Sequence, residues 1–442
     1  MLPRTAIAAL LLLPLAAQQP LIRVDVREVL VPVFVSDARG HTVTGLKAAD
    51  FAVEEDGVPQ AITAFSTSTA PGAEALLRPS DGGAPAPRRA SAPAAAPRHT
   101  FVVCVDTLDL ESGNAASLRD AVKRLLEKER PANAQFTVVA VGRQIQVLAT
   151  ASPDPAAVAA RVAGAAFAAG GAGAAQLRSE LQNLKTSMYD FCRRCPACAS
   201  PSRAPVCATE IQALKTTLEA QAAPWVLRTG QMLEQLKLVV EELGKLPGGR
   251  TLIFASDGFA LDPAREFYAV AAAFLPGDPH FRAQGPPALQ PNLQAVIRAA
   301  VNANVRIQSV DARGVVASAA SGNGSLDAAN PSDWSPPSVI RKAPPANRGG
   351  TLMADMDREA STISFEAGAG LERLADSTGG VYYHGSNDTL KQLRAALADG
   401  REYYLLGYVP TNAAADGKFR AIAVDLRDKK LRVRAKAGYW AP

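Results

Sequence analysis

The sequence predicts an α/β fold: a doubly wound, mostly parallel sheet, with a small β-sandwich-like domain built from the N- and C-terminal segments. Three observations lead there. From Thr100 onward, apolar runs of strand length (FVVCVD, RTLIFAS, VRIQSVD) alternate with amphipathic helical stretches, the pattern of parallel strands joined by helical crossovers. Residues 21–65 and 402–440 instead alternate apolar and polar side chains with period two, as half-buried strands do. Neither end is long enough to bury a core alone, so the two are expected to pack on each other.

Taken in order, the chain opens on MLPRTAIAALLLLPLAA, residues 1–17. Arg4, the apolar stretch Ala6–Leu15 and the small exit Ala16-Ala17 read as an export signal. About ten apolar residues are half of the roughly 20 that a membrane-spanning helix requires. The first cysteine is Cys104, so no lipid-anchoring thiol follows the signal. The expectation is an exported protein, periplasmic or extracellular, without a membrane span.

Residues 18–66 form a β-rich, immunoglobulin-like segment with turns at Ala38-Arg39-Gly40 and Asp56-Gly57, the latter a favoured hairpin pair. Residues 67–99 are Ala/Pro-rich with few large apolar groups; such a composition cannot offset ordering entropy and predicts a disordered linker. The α/β domain occupies 100–400. Its helix NAASLRDAVKRLLEKERP places Leu118, Val122, Leu125 and Leu126 on one face and stops near Pro131. Two insertions interrupt it, a Gly- and Cys-rich one at 168–207 and a loop at 315–355. Residues 401–442 return to β alternation, with about three strands.

Charge narrows the function. Lysine and arginine total 47 against 42 acidic residues, a net +5 in 442 residues, which gives no general field for nucleic acid. The hydrolase and nucleotide signatures Gly-x-Ser-x-Gly, His-Glu-x-x-His and Gly-x-x-x-x-Gly-Lys do not occur, so no catalytic residue and no organic cofactor is expected. The four histidines lack partners at ligand or triad spacing and read as structural.

With VLVPVFVSDARGHTVTGLKAADFAVEEDGVPQAI before the domain, FVVCVDTLDL and RTLIFASDGF within it, ANVRIQSVDARG late, and YYLLGYVPTNAAADGKFRAIAVDLRDKKLRVRAKAGYWAP at the end, the chain resembles the von Willebrand factor type A domains, in the form found in secreted acidobacterial families. The resemblance covers nearly all the sequence after the signal and implies a Rossmann-like sheet. It also implies a metal-ion-dependent adhesion site, in which an Asp-x-Ser-x-Ser strand exit, a Thr and a later Asp hold Mg²⁺ and a partner's carboxylate completes the shell. Asp106 matches the first aspartate and Asp257 the later one. Leu108 and Leu110 stand where the hydroxyls belong, so the site is degenerate, and Asp109 or Ser112 supplies the nearest replacement oxygen. Asp106, Asp109 and Asp257 are the candidate ligands for Mg²⁺ or Ca²⁺; both strand-end aspartates also have a plain use, bonding loop amides or capping helices.

CRRCPACASPSRAPVC places Cys192, Cys195, Cys198 and Cys207 together. In an exported chain this predicts two disulfides pinning a hairpin-like excursion, with three connectivities open; a four-thiolate zinc site and thiol–disulfide exchange are the other readings. Cys104, inside an apolar strand, reads as a buried thiol. In the tail, Lys430, Arg432, Arg434 and Lys436 share one strand face by period two and read as a solvated edge, while Tyr403, Tyr404, Tyr408, Tyr439 and Trp440 read as packing. The function expected is a secreted, non-enzymatic protein-interaction or adhesion protein with an envelope or extracellular partner. A divalent-dependent adhesin with altered ligands, or a thiol–disulfide or zinc protein using Cys192–Cys207, are the alternatives.

Overall fold

The computed structural model describes residues 28–68, 99–129, 134–152, 154–164, 173–198, 200–246, 248–275, 277–282, 288–315 and 367–441. The expected signal, nearly all of the linker and the 315–355 loop fall outside the described residues.

In chain order, β1 (Val29–Ser36), β2 (Phe51–Glu55), β3 (Val58–Gln60) and β4 (Ile62–Thr67) precede β5 (His99–Asp106), α1 (Ser112–Lys128), β6 (Ala134–Val141), β7 (Ile145–Ser152) and α2 (Pro155–Gly164). The insertion contributes α3 (Gly173–Arg194), followed by the long α4 (Ala208–Gly244), then β8 (Arg250–Ser256), α5 (Arg265–Phe274), the short α6 (Pro279–Arg282), α7 (Gln290–Asn302) and β9 (Arg306–Asp311). After α8 (367–378) come β10 (Tyr382–Tyr383), α9 (Thr389–Asp399), β11 (Tyr404–Tyr408), β12 (Phe419–Leu426), β13 (Arg432–Ala435) and β14 (Gly438–Trp440).

The central sheet runs β10-β9-β8-β5-β6-β7, parallel except for β7, which pairs antiparallel with β6. A strand covered on both faces favours a near-continuous apolar run, and β5 shows how this is used. Phe101, Val103 and Val105 pack with Leu118, Val122, Leu125, Leu393 and Leu397, from α1 and α9. The alternate residues Val102 and Cys104 face Met232, Leu236, Leu293, Val296 and Leu371, from α4, α7 and α8. Cys104 is a fully buried thiol, and burial pushes its ionisation far above the usual thiol range.

The two chain ends interleave. One four-stranded sheet is β13-β1-β11-β4 and the other is β14-β12-β2-β3, so each contains strands from both termini. Between them Val31, Val33, Val35, Phe51, Val53, Tyr404, Leu406, Tyr408 and Ile422 share one core. The tail holds four strands rather than about three. The turn at Asp56-Gly57 has positive φ at both residues (50° and 79°), as the favoured two-residue hairpin demands.

Two expectations are corrected. The insertion is largely helical rather than hairpin-like: Leu177, Leu181, Leu184, Met188 and Phe191 recur at three- and four-residue spacing and bury a stripe of α3 against α4 and α5. The basic face of the tail is a solvated edge only in part: Lys430 and Arg432 are exposed and β13 lies at the edge of its sheet, whereas the other two residues are engaged. Arg434 bonds Asp399, and Lys436 is buried with its Nζ 2.9 Å from Asn304 Oδ1. Period two fixes which residues share a face; it does not say which layer covers that face.

Candidate functional site

Parallel strands end on a common rim, and here three of them end in acid. β5 closes on Asp106, β8 on Ser256 with Asp257 next, and β9 on Asp311. Val105 is in register with Ala255, and Ser256 with Asp311, so the tips lie level at the sheet's carboxyl edge, where open α/β sheets present ligands.

Each acid ties down a loop. Asp106 is fully buried. Its Oδ1 accepts the backbone N–H groups of Leu108 (2.9 Å) and Asp109 (3.2 Å), and its Oδ2 accepts the Ser256 hydroxyl at 2.8 Å. The Ser256 oxygen in turn accepts the Gly258 N–H at 2.9 Å. Gly258 sits at φ +85°, and a Cβ there would lie 2.5 Å from the Ala367 carbonyl oxygen, so this turn requires glycine. Asp257 Oδ2 accepts the Glu111 N–H (2.7 Å) and the Asn114 side-chain amide (2.9 Å), joining β8 to the start of α1, where the helix dipole favours a negative group. At β9, Asp311 accepts from the Arg313 side chain and the Tyr382 hydroxyl (2.8 Å).

Leu108 and Leu110 have a structural use: Leu108 packs into the α4 side of the core and Leu110 into the α1 side, pegging the loop on both faces of the sheet. Ser112 begins α1 at an exposed position.

Asp109 lies beside a cation that sequence reading did not single out. Its Oδ1 is 3.4 Å from Nε of Arg228 on α4. Arg228 lies over the Trp225 ring at 5.5 Å, and Trp225 Nε1 donates to Glu180 of α3 at 2.7 Å. Arg178 of α3 reaches Glu111 at 3.6 Å. The insertion therefore packs over the rim. Asp109 Oδ2, Asp257 Oδ1, and Arg228 Nε and Nη2 are buried without a hydrogen-bond partner. The signals that could have pointed here are the strand-end aspartate repeated in SVDARG, and an arginine three residues after a tryptophan on a buried helix face.

Burial raises the carboxyl of Asp106, against the bonds from Ser256 and the loop amides. Burial, then the charge of Asp106, holds Asp109 well above the usual range despite Arg228. Asp257 is pushed up to about 6, chiefly by burial. A raised acid contributes stability that is fully present below its unfolded value and is lost as pH rises through the folded one. Wild type is therefore expected to lose about 2 kcal/mol relative to Asp257→Asn between pH 4 and pH 7, read from paired urea titrations.

As a metal centre the set fits poorly. Mg²⁺ needs about six oxygens in octahedral array, whereas both oxygens of Asp106 and one of Asp257 are taken by N–H and O–H donors, and a guanidinium already stands beside Asp109. Among the described residues, no group of three or more His, Cys, Asp or Glu is placed to hold a metal ion. Cys192–Cys198 and Cys195–Cys207 are disulfides, an interlaced pairing that leaves no thiolate for zinc at this cluster.

No protein-family model matches the chain, and no curated protein matches it. Solved structures do. They include proximal thread matrix protein 1 from the mussel byssus, 11% identical over 68% of this chain and 46% of that one, with a TM-score of 0.30. BatB from Bacteroides thetaiotaomicron is 9% identical, with 68% and 96% covered and a TM-score of 0.28. A von Willebrand factor type A structure from Catenulispora acidiphila is 11% identical, with 78% and 66% covered and a TM-score of 0.30. The chain spans about half the length of the mussel protein. Among the described residues, no helix is long and apolar enough to cross a membrane.

Proposed function

We propose that this chain is a secreted, non-enzymatic interaction protein of the von Willebrand type A kind, with a degenerate metal-ion-dependent adhesion site, that meets a protein partner in the envelope or extracellular space through the carboxyl-edge rim. The observation that carries this reading is the use of the acids: Asp106, Asp257 and Asp311 are spent on fixing loop geometry, which rigidifies a surface for presentation. Next to Arg228, Leu227 is 63% exposed beside a shallow apolar groove that Ala222, Val226 and Tyr268 also line. An apolar patch with a charged border is what a protein-binding surface offers. The two disulfides suit an oxidising compartment.

The test is capture from the native envelope and secreted fractions, with and without chelator. Wild type and a distal control at exposed Lys429 are expected to retain the same band, chelator is expected to leave it, and Leu227→Asp with Glu111→Arg is expected to lose it at least tenfold. Undiminished capture by the rim variant would remove the rim from the function.

A further inference from the structure

We infer that Arg228 is the resident cation of the rim: its guanidinium stands beside the buried carboxylate of Asp109 and makes the rim independent of metal. The inference concerns how the rim is neutralised and needs no partner, so it stands or falls apart from the binding reading.

The position of Arg228 is set by packing. Met232, Leu233 and Leu236 of α4 are buried against the sheet, so the helix cannot roll, and Trp225, Arg228 and Met232 follow one another along one face at the spacing of successive turns. The guanidinium is sandwiched by geometry between the Trp225 ring at 5.5 Å and Asp109 at 3.4 Å. Trp225 is itself held by Glu180.

The unmatched atoms are complementary. Arg228 has two buried donors, Nε and Nη2, and Asp109 has a buried acceptor, Oδ2, all without hydrogen bonds. A small side-chain rotation would turn the present approach into the two parallel N–H···O bonds that arginine and carboxylate favour. Arginine does not lose its charge in proteins, so this cation is permanent. A hydrated divalent ion bound to Asp109 would have to displace it.

The consequence is a charge deficit: removing the guanidinium leaves Asp109 buried beside Asp106 with no cation. Thermal melts of the full chain, in chelator and in millimolar Mg²⁺, Mn²⁺ or Ca²⁺, test this on wild type, Arg228→Ala, Arg228→Met and Arg228→Lys. Wild type and Arg228→Lys are expected to show no metal-dependent change in melting temperature. Arg228→Ala is expected to melt several degrees lower in chelator, to gain nothing from any of the metals, and to recover part of the loss when Asp109→Asn is added. Arg228→Met keeps the apolar stem on Trp225 and supplies the same reading should the alanine variant not fold. A metal-dependent rise in wild type overturns the inference, as does a folded neutral variant whose melting temperature Asp109→Asn does not raise. If neither neutral variant folds, the wild-type response alone decides.

Discussion

Asp399→Ala is expected to destabilise the protein by about 3–5 kcal/mol, the cost of removing one member of a buried charge cluster. Asp399 ends α9, where a negative residue is disfavoured by the helix dipole, and three side chains converge on it. Its Oδ2 accepts Arg306 Nη1 at 3.1 Å, Gln308 Nε2 at 2.8 Å and Arg434 Nη1 at 3.1 Å, and its Oδ1 accepts Arg434 Nη2. Arg306 comes from β9 and also lies over the Phe34 ring of β1 at 3.4 Å; Arg434 comes from β13. This cluster is the electrostatic joint between the helix-flanked sheet and the sheets formed by the chain ends. Burial raises the Asp399 carboxyl, but Arg306 and Arg434 overcome it and hold the group below its ordinary range. The stability it contributes is therefore present above the ordinary carboxylate value and lost as pH falls through the lower folded one. Urea denaturation should show the Asp399→Ala deficit in full at pH 7 and shrinking below about pH 3.5. Asp399→Asn, which keeps the acceptor without the charge, should fall between the two.

The second large effect lies in the shared core of the chain ends. Glu55 is only 2% exposed, and its Oε2 accepts the Tyr408 hydroxyl at 2.7 Å and the Tyr439 hydroxyl at 3.0 Å. Those tyrosines belong to β11 and β14, strands of different sheets, so one carboxylate oxygen clasps both. Glu55→Ala is expected to cost about 3 kcal/mol, because two buried hydroxyls lose their acceptor. Glu55→Gln retains an acceptor and should recover most of that loss. An alanine variant as stable as wild type would mean that both hydroxyls find other acceptors.

Much of this architecture was legible in the sequence. FVVCVD is apolar at every position but its last, LIFA in RTLIFAS is a continuous apolar run, as strands covered on both faces favour, and each of these strands, like VRIQSVD, ends at a polar tip. That pattern sufficed to bring Asp106 and Asp257 to one rim. The pairing of the chain ends was also legible, from segments too short to bury a core separately. The stripe Leu177, Leu181, Leu184, Met188 and Phe191 carried an equally clear period, but flanking glycines and cysteines drew the reading towards a hairpin-like excursion. Other features had no local signal. Arg228 lies far along the chain from Asp109, and nothing in its neighbourhood says which loop the helix will cross. Arg434 and Lys436 alternate like solvent-facing residues, and only the packing of the strand end against Asp399 of α9 and Asn304 after α7 gives them partners. A single sequence carries the periodicity of an element more clearly than the identity of its neighbour, and the charge pairs at Asp109 and Asp399 depend on neighbours.

The central physical claim is that the rim is neutralised from within. A double-mutant cycle on Asp109→Asn and Arg228→Met, by urea denaturation at pH 7 in chelator, measures it directly. A favourable coupling of about 1–3 kcal/mol between the two side chains is expected; additive effects, with a coupling indistinguishable from zero, would mean that Arg228 does not neutralise Asp109.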